Sequence, residues 1–200
     1  MQYDQYGNPI LTTDAKGNQT QITYGSVGGF TGLYPTQTVA AYGTSVARTM
    51  TAVYDFYTGV VTTATDVDNG VTNATEYDAL GRPVKVRSAA GTALEAWTTT
   101  EYHDSDRFVV VKSDLETKGD GRKVAVQYHD QLGRVRLSRT LEDASTQDPE
   151  DKCDGTAPCA GIKVQTRYQT GNPNSYKLTS NPYRASTSGA ATGEPTMGWT

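Results

Sequence analysis

The sequence predicts an all-β protein made of consecutive antiparallel β-hairpins. Three observations predict it. Apolar and polar residues alternate over short runs, clusters of Gly, Asn and Asp separate those runs, and a Tyr-Asp-x-x-Gly signature returns along the chain.

The alternation has period 2. Over 123–128, Val124, Val126 and Tyr128 share one side while Lys123, Ala125 and Gln127 share the other. Over 162–168, Ile162, Val164, Thr166 and Tyr168 alternate with Lys163, Gln165 and Arg167. Val84 and Val86 alternate with Lys85 and Arg87, and Val135 and Leu137 with Arg134 and Arg136. One face is therefore expected to be buried and the other wet, as in an antiparallel sheet. No window carries a helical stripe. Turns are predicted at 14–18, 66–70, 89–91 and 117–121, where Gly supplies positive φ and Asn or Asp tolerates it.

The signature is the most specific feature. Tyr3-Asp4 is followed by Gly7-Asn8, Tyr77-Asp78 by Gly81-Arg82, and Tyr128-His129-Asp130 by Gly133-Arg134; Tyr54-Asp55 opens a further copy. The tyrosines that close a run are Tyr24, Tyr54, Tyr77, Tyr102, Tyr128 and Tyr168, at intervals of 30, 23, 25, 26 and 40 residues. Each interval holds a turn, a strand, a second turn and a second strand. The Asp is expected to accept backbone hydrogen bonds within its turn, the Gly to permit the reversal, and the Tyr to pack on the neighbouring hairpin. That is stacking chemistry, because a repeat unit buries its apolar face only against its neighbours. The last interval is long because it contains 142–161, which is rich in Asp, Pro, Gly and Ala and reads as a solvated loop. Residues 1–170 are thus predicted to form the repeat sheet, interrupted by that insert, and 171–200 an irregular, turn-rich tail.

Composition narrows the function. Leu, Ile, Val and Phe total only 32 of 200 residues, while 31 Thr and 13 Tyr supply strand-forming bulk. This describes a sheet with one moderately apolar face rather than a thick core. The net charge is −4 and the 18 Lys and Arg are scattered, so no nucleic-acid footprint is expected. No apolar run approaches the ~18 residues of a membrane helix, so the chain is not expected to span a membrane. The N-terminal residues show no basic start and no apolar stretch of the kind a signal peptide carries.

Candidate chemistry is sparse. His103 and His129 each precede an Asp, but they share one repeat offset and no nucleophile motif accompanies them, so a structural role is expected and no catalytic residue is assigned. Asp66-Val67-Asp68-Asn69-Gly70 opens like a calcium loop, yet its fifth position is Gly70, its sixth Val71 and its twelfth Tyr77, which do not fit one. Asp148, Glu150, Asp151 and Asp154 read as a solvated acidic loop. Cys153 and Cys159 lack the two further ligands of a zinc site. In an exported protein they are expected to form a small disulfide ring lying outside the sheet; in a cytosolic one they stay reduced. No metal and no cofactor are expected. Trp97, Trp199 and the many tyrosines leave open a second reading, a cell-surface binding module that contacts glycan or protein through exposed aromatics or the 142–161 loop, since aromatic faces stack on sugars; against it, most of the tyrosines are in phase with the buried side.

The segments "YDQYGNPILTTDAKGNQTQITY" (3–24) and "YDALGRPVKV" (77–86) resemble the YD repeats of the Rhs family, which includes bacterial polymorphic toxins, toxin-complex C components and teneurins. The family pattern is Gly-Arg or Gly-Asn, a strand, Thr-Asp-x-x-Gly, a strand, then Tyr-Asp-x-x-Gly. Thr13-Asp14 with Gly17 and Thr65-Asp66 with Gly70 match its middle element, the second with one extra residue. The likeness spans about residues 3 to 168, is specific at 3–24 and 54–82, and is loose at Tyr102-His103-Asp104 and over 25–53. It implies a coiled sheet of hairpins forming part of a hollow β-shell, which in toxin members encloses a C-terminal toxin. It also implies a secreted or cell-surface parent, with neighbouring YD repeats and an enclosed toxin as partners. The family's core-terminal Asp-Pro-x-Gly-Leu segment is not found, since Asp148-Pro149-Glu150 does not match it, and the chain reads as an internal piece of shell wall.

Overall fold

The structure is a computed structural model, and it describes residues 1–151, 153, 159–171, 175–184 and 200. Among them every regular element is a β-strand, all pairings are antiparallel, and no helix is long and apolar enough to cross a membrane. The chain divides into two compact units, Met1–Ala96 and Trp97–Thr200.

The first unit is a meander of eight strands: β1 (Gln2–Tyr3), β2 (Pro9–Thr13), β3 (Gln19–Thr23), β4 (Gln37–Ala40), β5 (Arg48–Tyr54), β6 (Val61–Asp66), β7 (Val71–Tyr77) and β8 (Pro83–Ser88). Each pairs with the next in sequence. The odd-to-even turns therefore lie at one end of the strands and the even-to-odd turns at the other. Only Ala74 and Glu95 are buried in this unit. It is a single layer rich in Thr, as the low content of large aliphatic residues leads one to expect.

The second unit holds β9 (Ala96–His103), β10 (Phe108–Ser113), β11 (Lys123–His129), β12 (Val135–Thr140) and β13 (Ile162–Gln169), again paired in sequence order. Two short strands, β14 (Tyr176–Thr179) and β15 (Tyr183–Arg184), both pair with β13. They fall within 171–200, where the sequence predicts an irregular tail; the Tyr183 ring is buried, and it gives this segment an apolar anchor that alternation alone does not reveal.

The second unit has a real core. Phe108, Val110, Val124, Val126, Tyr128 and Leu137 share one face, with Val110 opposite Val126 and Tyr128 opposite both Phe108 and Leu137. Leu141, Cys153 and Cys159 complete it. The insert after β12 is thus not a loop held off in solvent. Its described residues Leu141, Cys153 and Cys159 lie in the core, so the disulfide expected outside the sheet is buried there. At about 25 cal/mol per Å² of apolar surface removed from water, covering this patch of aliphatic and aromatic side chains is the main apolar stabilisation in the unit.

Position 163 departs from the expected alternation. Lys163 is fully buried, although the pattern of β13 places it on the wet side. Its ammonium donates to the Cys159 carbonyl and lies 5.6 Å from the centre of the Tyr183 ring. The insert and β15 cover that side, so a period of 2 within β13 does not decide which face is wet.

Candidate functional site: the repeated turns and the disulfide insert

The signature turn is a carboxylate cage. Asp78 Oδ1 accepts the Leu80 and Arg82 amides, both at 2.9 Å, and Oδ2 accepts Arg82 Nε at 2.8 Å. Asp130 repeats this with Leu132 and Arg134 at 2.9, 2.9 and 2.8 Å. Asp4 does so with Tyr6 and Asn8, and Asp14 with Lys16 and Asn18, the Asn side chain replacing the guanidinium. The geometry explains the wording of the motif. The residue after Gly in these four turns is Asn or Arg, and its side chain donates to the second carboxylate oxygen. The Gly sits at φ +76 in Gly81, a left-handed conformation that costs other residues about 1–2 kcal/mol. Asp55 builds a looser version with Tyr57 and Thr58.

These bonds act on ionisation. The Arg82 amide, followed by its side chain, holds the Asp78 carboxyl below the usual range against partial desolvation. The Arg134 side chain does the same at Asp130, and the Asn18 side chain at Asp14. At Asp120 the Thr117, Leu115 and Glu116 amides push the carboxyl far down. Each carboxylate is committed to its own turn.

The tyrosine before the Asp latches the turn to the preceding hairpin. Tyr77 Oη donates to the Val61 carbonyl at 2.8 Å, and Tyr54 Oη to the Pro35 carbonyl at 3.1 Å. Tyr34 stacks on Tyr54 at 4.9 Å. Tyr3 is exposed and Tyr24 half-buried. In register, Tyr3 faces Pro9, Tyr77 faces Pro83 and His129 faces Val135, each beside a bulge. His129 therefore occupies the slot of Tyr77, and the adjacent Tyr128 points into the core. His103 stacks on Phe108 at 4.1 Å. Tyr102 is half-buried, and Tyr168 carries the Arg134 guanidinium 4.3 Å above its ring.

A longer period also emerges. The connector 41–47 and the connector 89–95 have the same geometry. Ala41 and Ala89 have φ of 50 and 49, Gly43 and Gly91 have 78 and 79, and Thr44 and Thr92 each donate to the first alanine's carbonyl at 2.7 Å. With Asp14, Asp66 and Asp114 opening the turns β2–β3, β6–β7 and β10–β11, this marks a repeat of four strands: β1–β4, β5–β8 and β9–β12. The third repeat ends in the insert 141–161 where the first two end in seven residues.

The insert is organised by Arg139, which sequence reasoning passed over. Arg139 lies on the Leu137 side of β12 and is 1% exposed. Its Nε donates to the Ala160 carbonyl at 2.5 Å, Nη1 to the Asp148 carbonyl at 2.8 Å and to Tyr128 Oη at 3.3 Å, and Nη2 meets the Asp151 carboxylate at 3.3 Å. Tyr128 Oη donates to the Asp151 carbonyl at 2.5 Å and lies 3.3 Å from Cys153 Sγ. Burial raises the Tyr128 phenol above its ordinary value against the opposing Arg139. Cys153 and Cys159 are disulfide-bonded. Asp151 is thus an anchor of the insert. Asp148 and Glu150 are exposed, and Asp154 lies outside the described residues.

Other candidates are placed as follows. A groove of about 450 Å³ is lined by Asp55, Thr63, Glu76, Tyr77, Asp78 and Arg87, but two of its three carboxylates are the turn anchors just described. Among the described residues no three His, Cys, Asp or Glu side chains are grouped to hold a metal. The Trp97 ring packs against Gly119, with the Lys118 ammonium 5.5 Å from its centre, so one of its faces is in use. Trp199 lies outside the described residues. Exposed aromatics do gather at the odd-to-even end of the first unit, where Phe30 stacks on Phe56 at 5.4 Å and Tyr57 is 91% exposed.

Compared with known proteins, the chain matches no family model, and no curated protein matches it in sequence. The likeness of 3–24 and 54–82 to YD repeats rests on those residues themselves.

Proposed function

We propose that the chain is a structural repeat module, a stretch of wall from an Rhs-type YD-repeat shell that encloses a C-terminal toxin, with no catalysis of its own. The single observation that carries this reading is the reuse of one turn. Asp4, Asp14, Asp78 and Asp130 bind the same three groups at the same spacing, so the polar side chains that recur are consumed in holding hairpins together. The parent protein works outside the cell on this reading, where a disulfide persists. Neighbouring YD repeats extend the sheet at its open edges.

Open edges recruit strands, and repeat arrays need capping units to stay soluble. The chain by itself is therefore expected to self-associate. Light scattering across a concentration series tests this: growth in size with concentration supports the wall, and a monomer that stays monodisperse at high concentration contradicts it.

The aromatic cluster at Phe30, Phe56 and Tyr57 favours a second reading, a surface-binding module that contacts glycan or protein. A glycan array probed with the folded chain and with Tyr57→Ser separates the two. Binding lost in the variant favours the module.

A further inference from the structure

The second residue after the turn Asp is held in one way at both ends of the strands, but its chemistry differs between them. In the turns β1–β2, β5–β6 and β7–β8 it is Tyr6, Tyr57 and Leu80; each amide donates to the Asp Oδ1, and the residues are 60%, 91% and 74% exposed. Leu132 repeats this in the turn β11–β12 and is 75% exposed. The turn itself asks for nothing apolar there. Asp14 builds the same cage at the even-to-odd end with Lys16 in that place, and Asp66 and Asp114 are followed at the same distance by Asp68 and Glu116. A large apolar side chain that its turn does not need, returning at the odd-to-even end, answers to something outside the chain's own fold. Scattered apolar residues on a surface are ordinary, whereas contiguous ones mark interaction sites.

In the first unit these side chains join into one rim. The connector β3–β4 lies at the same end and closes on the Tyr6 ring at Gly32, whose carbonyl accepts Asn8 Nδ2 at 2.7 Å. Leu33, next in the chain, is more than half exposed. Phe30 stacks on Phe56 at 5.4 Å, and Phe56 meets Tyr57 edge-on at 5.2 Å. Leu80 sits on the next turn, two strands on, at a spacing of roughly 10 Å. Asp4, Asp55 and Asp78 accept from the amides of their own turns, so a facing surface meets rings and methyl groups before it meets charge.

We propose that this rim is a self-association surface, on which two copies of the chain meet about a two-fold axis as a closed dimer. The knobs recur with the two-strand spacing of the turns, and a row of fixed period meshes with an identical row turned to face it, as an isologous contact requires. The area suffices. At roughly 200 Å² for a fully exposed residue of this size, Tyr6, Phe30, Leu33, Tyr57 and Leu80 present roughly 650 Å² per copy, and a pair that covers them removes roughly 1,300 Å² from water. Specific interfaces begin near about 1,200 Å² in total. The wall reading places self-association at the open sheet edges, where growth has no end. The rim lies at the strand ends and closes after two copies, so either reading stands without the other.

The test is sedimentation velocity of the full chain over a concentration series, comparing the wild type with Tyr57→Ser/Leu80→Ser, with Leu80→Ser alone and with Leu94→Ser. Leu94 is 84% exposed on the connector at the opposite end of the same unit and serves as control. An unchanged circular-dichroism spectrum and urea midpoint confirm that each variant keeps its fold. The wild type is expected to form a discrete dimer. The double variant is expected to dimerise roughly a hundredfold more weakly and Leu80→Ser roughly tenfold, while Leu94→Ser matches the wild type. A wild type that forms no discrete dimer overturns the proposal and leaves the rim to a glycan or to another protein. Open-ended growth that is the same in the wild type and the double variant belongs to the sheet edges, and in the absence of a dimer it overturns the proposal as well. So does an equal loss in Leu94→Ser, which means that any exposed apolar residue contributes.

Discussion

Replacing Arg139 by Met is the sharpest probe of how the second unit is held. Met fills similar space without charge. The guanidinium has no exposed surface and serves four acceptors, the Ala160 and Asp148 carbonyls, Tyr128 Oη and the Asp151 carboxylate. Removing one partner of a buried ion pair typically costs about 3–5 kcal/mol. Two features place the cost at the low end. Asp151 is 28% exposed and rehydrates, and relief of the Lys163 repulsion offsets part of the loss. About 3 kcal/mol is expected. For a chain of this size that is a fall in Tm of roughly 6–12 °C. The assay is urea unfolding followed by Trp97 fluorescence in a Trp199→Phe background, with Arg87→Met as control. Arg87 is 38% exposed and lies 3.9 Å from Glu76, so its loss should change stability by no more than about 0.5 kcal/mol. Equal losses in the two variants would refute the claim that Arg139 anchors the insert.

Three further outcomes follow from the same geometry. Tyr128→Ala, at a core position, is expected to cost about 4 kcal/mol and the half-buried Tyr77→Ala about half of that, measured by urea unfolding. Gly32→Ala should destabilise more than Gly29→Ala: both sit at positive φ, but a Cβ at Gly32 would come 2.6 Å from the Tyr6 ring while Gly29 faces open space, a difference readable in paired thermal melts. The carboxyls of Asp14, Asp78, Asp120 and Asp130 are all depressed in the folded chain, so their stabilisation is present above the ordinary carboxylate value near 4 and disappears as pH falls below it. Tm should hold between pH 7 and 5 and drop by pH 3, and Asp78→Asn should flatten that drop.

The strands and the signature turns were legible because their causes are local. Val124, Val126 and Tyr128 alternate within one strand, and Asp78 finds its donors within four residues. What failed to show depends on contacts distant in sequence. The insert reads as solvated because Asp, Pro and Gly dominate it, and its attachment to the sheet at Cys153 and Cys159 follows from Arg139, whose place in phase with Leu137 was the one signal available. Lys163 is buried by the insert and β15, and nothing within β13 announces that. The four-strand period was hidden because the connectors 41–47 and 89–95 carry no Tyr-Asp. Their shared Ala-x-Gly-Thr wording was there to be matched. The slot of Tyr77 passes to His129 because the bulge beside the Asp fixes the register, and identity with Tyr128 misleads.

The most direct test of the modular account is to delete one repeat. Removing 48–95 takes out β5–β8 with their connector and joins Ala47 to Ala96, so that one Ala-x-Gly-Thr connector stands in for two. In a repeat array each unit is stabilised by itself and its neighbours alone. The shortened chain is expected to remain β-rich by circular dichroism and to keep the cooperative urea transition reported by Trp97. A chain that loses that transition would contradict the reading of this protein as interchangeable lengths of wall.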